Sequence, residues 1–307
     1  PEKLYDREQK VQTLLDAFER FANGTTELML VAGFSGIGKT AVVNEVHKPI
    51  TRQQGYFIKG KFDQFNRDIP LSAFVQAFRD LMSQLLSETE EQLAQWRTQI
   101  LTAVGENGQV LIDVIPELEQ IIGQQPLAPE LSGGAAQNRF NLLFQKFIAV
   151  LTAPEHPLVM FLDDLQWADS ASLNLLKLLL INAEQQYLFI IGAYRDNEVF
   201  PAHPLMLTLE NIKKHQVQMH TLTLNPLATE HIHQLVTDTL QCSAELTAPL
   251  EELVYQKTQG NPFFATQFLQ GLYEDGCITF NATGGYWLCD LAQVKQLALT
   301  DDVVEFM

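Results

Sequence analysis

Long apolar runs are missing from this sequence. None reaches the roughly 20 residues that a membrane-spanning helix needs, which excludes a transmembrane reading. The chain opens on Pro1-Glu2-Lys3 with no apolar stretch behind it, so this stretch does not read as a secretory signal. It also lacks an initiator Met and stops at Phe306-Met307 inside an apparent helix, and it reads as a piece of a longer polypeptide. Cysteine is scarce: Cys242, Cys277 and Cys289 are the only three, and no C-x-x-C pair occurs. That excludes a disulfide scaffold and a zinc knuckle and fits a reducing, cytoplasmic setting. Positive charge is scarce too. Lys and Arg number 20 against 37 Asp and Glu, a net charge of −17. Phosphate backbones and anionic lipids are bound through Lys and Arg, so neither nucleic acid nor membrane is an expected partner. Lys213-Lys214-His215 is the one basic cluster, and it reads as a solvated helix end. With 46% hydrophobic residues over 307 positions the chain can bury a core of one large domain or two ordinary ones.

Buried strands and helices alternate. Continuous apolar runs at 28–32, 56–58, 158–162 and 188–193 predict strands buried on both faces, and a further strand is expected near 217–224. Helices are predicted over 8–22, 39–52, in two pieces over 70–104, and over 136–152, 170–182 and 204–214. Residues 105–135, rich in Gly and Pro, predict helix and loop with some mobility. The alternation argues for an α/β fold with a parallel sheet and helices on both faces. At Asn225-Pro226 the character changes to helices over 228–240, 247–258 and 262–274, then a hairpin at 277–289. The expected division is 1–225, an α/β domain, and 226–307, a smaller helical domain with the hairpin.

Gly33-Phe34-Ser35-Gly36-Ile37-Gly38-Lys39-Thr40 fits G-x-x-x-x-G-K-[ST] in full, between a predicted strand and a predicted helix. Glycines let the backbone curl so that successive N–H groups point at phosphate oxygens, and the following helix adds its N-terminal partial charge. Gly33, Ser35, Gly36, Ile37, Gly38, Lys39, Thr40 and Ala41 are the candidate phosphate contacts. Lys39 would neutralise phosphate charge, and Thr40 would place its hydroxyl on Mg²⁺. The glycine spacing is wrong for a dinucleotide fingerprint, which disfavours a nicotinamide oxidoreductase.

The strand at 158–162 runs into Asp163-Asp164. Asp163 is the candidate metal carboxylate, expected at the tip of a strand beside the phosphate strand. Asp164 is placed to orient or deprotonate an attacking water. Two adjacent carboxylates repel each other, so a cation is expected with them. The bland reading, a cap for the helix at 170, is weakened because Asp169 or Ser170 can do that. Arg195 ends the next strand and would face a γ-phosphate; a salt bridge to Asp196 or Asp169 is its structural alternative.

These residues, taken in order, resemble the STAND class of P-loop ATPases on its AAA-like branch. The resemblance rests on Tyr5-Asp6-Arg7-Glu8, Gly33–Thr40, Lys59-Gly60-Lys61-Phe62-Asp63-Gln64, and Phe161-Leu162-Asp163-Asp164-Leu165-Gln166-Trp167-Ala168-Asp169. Tyr194–Val199 with His203-Pro204-Leu205, Leu222–Leu227 and Gly260-Asn261-Pro262-Phe263-Phe264 complete it. The chain looks like the ATPase module of large multidomain kinases, mostly cyanobacterial, that carry a Ser/Thr kinase and a sensor histidine kinase. The resemblance implies a P-loop core of the additional-strand type followed by a helical lid, with ATP or ADP and Mg²⁺ as cofactors. It implies a switch that changes state on exchange or slow hydrolysis, with neighbouring kinase and sensor domains of the same polypeptide as partners. A homo-oligomer formed with nucleotide stays open, although Arg67 and Arg79 have no positional support as an arginine finger. By the same resemblance Tyr5, Arg7 and Pro226 flank the adenine. Asp6 stands where the family usually has glycine. No Asn-Lys-x-Asp segment of the GTPase kind occurs, which points to ATP over GTP. The alternative function is a non-hydrolysing scaffold with a locked nucleotide.

Other signals read blandly. His231 and His233 diverge on a helix and make no metal pair. His203 reads as a helix cap, and Trp167, Phe62, Phe65, Phe263 and Phe264 as packing. Cys277 and Cys289 are symmetric about residue 283 and could face each other across the hairpin.

Overall fold

The computed structural model describes residues 3–65 and 69–294. Arg67 and the apparent helix at Phe306-Met307 lie outside the described residues. The chain divides into two compact units. The larger comprises residues 10–33 and 39–223; the smaller gathers the N-terminal segment up to Gln9, the turn Phe34–Gly38 and the chain from Leu224 on.

The larger unit is built on five parallel strands: β1 (Thr26–Ala32), β2 (Tyr56–Lys61), β3 (Leu158–Asp163), β4 (Leu188–Tyr194) and β5 (Gln218–Thr223). Their order is β2-β3-β4-β1-β5. The register pairs Leu30 with Gly192 and Lys61 with Asp163, so all strands end at one edge. One expectation is corrected: β3 does not lie beside β1, because β4 is inserted between them. That is the arrangement of the additional-strand class.

Helices α1 (Glu8–Ala22), α2 (Lys39–Asn44), α3 (His47–Arg52), α4 (Ser72–Leu86), α5 (Glu90–Val104), α6 (Gly108–Ile112), α7 (Glu119–Ile122), α8 (Gly134–Leu151), α9 (Ser170–Ile181) and α10 (Pro204–Lys214) surround the sheet. Alternate strand residues serve opposite faces. Leu28, Leu30, Met160 and Ile190 join the core with α4, α8 and α9, while Phe189 turns to Phe21 of α1, ring centroids 5.6 Å apart. Phe74 and Phe78 of α4 meet Phe144 of α8 edge-on at 6.4 and 5.0 Å. Each such pair adds about 0.5–1.5 kcal/mol beyond area burial. Gly60 lets α4 close on the edge strand, since a Cβ there would lie 1.8 Å from Ala73 O. The single helix expected over 39–52 is two. Pro49 has no N–H to donate to Glu45 O, so the chain turns at Glu45-Val46 and restarts as α3.

The smaller unit holds α11 (Thr229–Leu240), α12 (Ala244–Thr258), α13 (Pro262–Glu274) and a hairpin of β6 (Ile278–Asn281) and β7 (Tyr286–Cys289). Ile232, Val236, Val254, Ala265 and Leu269 form its core, with Tyr5 packed against it. The hairpin register pairs Ile278 with Cys289, which leaves Asp290, not Cys289, opposite Cys277. The centre of symmetry lies half a residue beyond 283, the cysteines are offset, and all three are free thiols.

Candidate functional site

The site lies where the strands end, the edge at which open α/β sheets bind ligands. β1 leads into the turn 33–38, where Gly36 and Gly38 take φ values of +75° and +99°. L-residues with a side chain rarely adopt this region, so the local sequence builds the curl directly. Gly33 N–H donates to Tyr194 O at 3.3 Å, tying the start of the turn to β4. Lys39 opens α2 and is buried, its Nζ donating to Gly33 O at 2.7 Å. Burial pushes its ammonium down, opposed by the charges of Asp163 and Asp164.

Thr40 Oγ1 donates to Asp163 Oδ2 at 3.5 Å, although the two are 123 residues apart. Burial, and after it the charge of Asp164, pushes the Asp163 carboxyl up. A hydroxyl and a carboxylate are hard oxygen donors of the kind Mg²⁺ takes. A half-buried carboxylate crowded by a second one also favours a cation, so the residues present fit that ion.

Asp164 is buried and sits in the left-handed region at φ +53°, which Asp tolerates better than most residues. Its oxygens are engaged on three sides: Gln166 Nε2 at 2.9 Å, Lys61 Nζ at 3.3 Å and Arg195 Nε at 3.5 Å. Arg195 pairs also with Glu198 at 2.8 Å and lies 4.7 Å over the Trp167 ring, whose Nε1 donates to Glu198 at 3.0 Å. The salt bridges expected as its alternative, to Asp196 or Asp169, are not the ones formed. Asp169 instead caps α9, accepting the Ser172 N–H at 2.9 Å. The aspartate pair is therefore released from any capping duty.

Lys61, Gln166 and Glu198 were not among the candidates. Lys61 lies three residues past the strand predicted at 56–58, and the structure makes it the last residue of β2. Gln166, which also accepts the Arg195 N–H at 3.1 Å, carried no signal beyond its closeness to Asp164.

The remaining candidates belong to the smaller unit. Tyr5 donates to Asp238 at 2.9 Å, and Arg7, buried, donates to Asn225 O at 2.8 Å and Ile37 O at 3.3 Å. Asp6 takes φ +54° and lies 3.9 Å from His231, while His233 lies 3.5 Å from Glu251. Pro226 is exposed. Phe263 and Phe264 are 52% and 42% exposed and Phe65 is 90% exposed, so only Phe62 packs as expected. His203 caps α10, accepting the Leu205 N–H at 3.2 Å.

The strand order and the glycine-rich turn with Lys39 define a P-loop NTPase fold. The chain belongs to the AAA ATPase domain family, whose model matches residues 3–191. It is similar to Hybrid signal transduction histidine kinase G of Dictyostelium discoideum, 30% identical over 369 aligned positions that cover 99% of this chain and 10% of that protein. It is also similar to Histidine protein kinase 1 of Candida albicans, 25% identical over 57% of this chain and 8% of that protein. The chain thus spans about a tenth of the length of these curated relatives. Among solved structures it resembles the Aeropyrum pernix ORC1 protein, determined in complex with DNA, with TM-score 0.49 and 15% identity over 89% of this chain and 61% of that one. It also resembles a STAND protein with a tetratricopeptide repeat sensor from Pyrococcus horikoshii, with TM-score 0.39 and 14% identity over 85% of this chain and 29% of that one. The fold assignment rests on the strand order and the family match. Among the described residues no helix is long and apolar enough to cross a membrane.

Proposed function

We propose that the chain is an ATP- and Mg²⁺-binding switch module of the STAND class that hydrolyses slowly and passes its nucleotide state to neighbouring kinase or sensor domains. Residues 1–225 are the nucleotide-binding part and 226–307 the helical lid in this reading. The signalling half is supported by the family match together with relatives named as histidine kinases. The cyanobacterial type rests on the residue pattern alone. A net charge of −17 favours no nucleic acid partner.

The observation that carries the reading is the cage around Asp164. Lys39 and the N–H groups of 36–41 take phosphate charge, and Thr40 and Asp163 hold Mg²⁺. When bound, that ion draws charge from the phosphate oxygens. Asp164 orients the attacking water, and Arg195 answers to the γ-phosphate. Tyr5, Arg7 and Pro226 border the base. With Asp164 held by Lys61, Gln166 and Arg195, a water has to compete with these donors for its oxygens. A γ-phosphate competes for Arg195 and would leave Asp164 Oδ1 held by Gln166 alone; a diphosphate leaves the cage closed. Turnover is accordingly slow, and the two nucleotides are distinguished by whether the cage opens.

The same closed cage suits the second reading, a scaffold that keeps its nucleotide and never hydrolyses it. ADP that stays bound through purification and never exchanges would favour it. The deciding measurement is a thermal melt with and without Mg-ATP and Mg-ADP beside Lys39→Ala. At a hundred times its dissociation constant a ligand adds about 2.7 kcal/mol. An upward shift in the wild type alone is expected, with ATP and ADP differing. No shift, and no nucleotide released on denaturation, would sink the nucleotide reading.

A further inference from the structure

Three successive carbonyls of the phosphate turn are held by donors from the smaller unit, to which the turn itself belongs. Ser35 O accepts from Asn261 Nδ2 at 2.8 Å, Gly36 O from the Phe263 N–H at 3.2 Å, and Ile37 O from Arg7 Nη2 at 3.3 Å. A trans peptide is planar, and its C=O and N–H point opposite ways. Holding these oxygens therefore sets the planes whose N–H groups belong to Gly36, Ile37 and Gly38.

Asn261 is built for this task at both ends of its carboxamide. Its Oδ1 caps α13, accepting the N–H of Phe263 at 3.1 Å and of Phe264 at 3.2 Å. That fixes the amide with Nδ2 on Ser35 O. The side chain is buried, and there is no slack around it. A Cβ on Gly36 would lie 2.9 Å from both Asn261 Oδ1 and Phe263 Cβ. Behind it Gly260, at φ +79°, is tied to Leu227, whose N–H donates to Gly260 O at 2.8 Å.

We propose that Asn261 is a positioning residue for the phosphate loop: its carboxamide locks the Ser35–Gly36 peptide and couples the loop's N–H groups to the start of α13. The lock stands on the hydrogen bonds; the coupling rests on the nucleotide reading above. An anion on the N–H side polarises the same peptides whose oxygens Asn261 and Phe263 hold, so each contact strengthens the other. Coupling of this kind is reciprocal: loosening Asn261 weakens phosphate binding, and phosphate tightens the first turn of α13.

Asn261→Ser keeps a capping oxygen but is too short to reach Ser35 O, and it changes no charge. In ligand-free protein labelled with ¹⁵N-glycine, the order parameters of Gly36 and Gly38 are expected to fall from about 0.85 toward 0.6 or lower. Gly271, inside α13, stays rigid and reports that the helix is intact. Unchanged values at Gly36 and Gly38 overturn the lock. Should Gly271 also loosen, Asn261→Asp, an equally good cap without the donor, replaces the serine variant. For the coupling, Mg-ADP is expected to slow amide exchange over 261–266 in the wild type. The serine variant should lose that slowing and bind about tenfold more weakly. Equal slowing in both proteins overturns the coupling. If calorimetry shows no Mg-ADP binding to the wild type, the nucleotide reading fails and the coupling with it, while the order parameters still decide the lock.

Discussion

At the two ends of the five-stranded sheet, partly and fully buried acids are handled in opposite ways. Beside the start of β2, Glu88 accepts from two neutral donors, the Tyr56 hydroxyl and Trp96 Nε1, the latter at 2.9 Å. His156 lies against Trp96 with ring centroids 4.6 Å apart, and these residues line a groove of about 860 Å³. Burial and the hydrogen bond to Glu88 hold the Tyr56 phenol well above its ordinary range, so its hydroxyl stays a donor. At the other end Asp163 and Asp164 are adjacent, one pushed to an elevated pKa by burial and then by its neighbour's charge, the other caged by Lys61 and Arg195. An acid closed off by neutral donors is finished; a pair that repels itself and borrows cations is poised for a ligand. That contrast distinguishes a structural network from a candidate site.

The contrast can be broken by substitution. Asp164→Asn removes the charge at the caged position while keeping size and tolerance of left-handed backbone. ATP hydrolysis is expected to fall by about 10²-fold or more, roughly 2.7 kcal/mol, with nucleotide affinity little changed. A phosphate-release assay with unaltered turnover would remove Asp164 from the mechanism. Glu88→Gln leaves one acceptor for two donors and is expected to lower stability by about 1.5 kcal/mol in urea unfolding. Nucleotide affinity should not move, and a change in it would erase the distinction between the two ends.

Asp163→Asn should act in the other direction. The folded pKa of Asp163 lies above its unfolded value of about 3.9. Its contribution to stability is therefore fully present below that value and is lost as pH rises through the folded pKa. At neutral pH the ligand-free asparagine variant is expected to be more stable than the wild type, with the gain vanishing near pH 4. Melts at both pH values check this; a less stable variant at pH 7 would mean that the carboxylate is already compensated.

The central strands of the parallel sheet were legible because β1, β3 and β4 are short, continuous apolar runs, the pattern of strands buried on both faces; β5, Gln218–Thr223, is mostly exposed and followed only from the alternation of strands and helices. Helix α13 was legible residue for residue, since Asn261-Pro262 marks its start. The break at Glu45-Val46 was hidden behind an amphipathic pattern that runs on past Pro49. The offset of Cys277 from Cys289 turned on half a residue in the hairpin centre, which composition cannot resolve. The exposure of Phe263 and Phe264 escaped notice because an aromatic pair after a cap looks the same whether it faces core or solvent.

For the candidate site, the sequence alone determined the chemistry carried on contiguous backbone. The curl of 33–38 follows from glycines at positive φ, and the tip carboxylates follow from a strand that ends in Asp163-Asp164. Only the tertiary structure decided which cations meet which acid. Lys61 and Arg195 reach Asp164 from the ends of β2 and β4, the strands on either side of β3, and the insertion of β4 between β1 and β3 sets that neighbourhood. Local sequence dictates backbone conformation through sterics, whereas the pairing of charges distant along the chain depends on strand order, which no local pattern encodes.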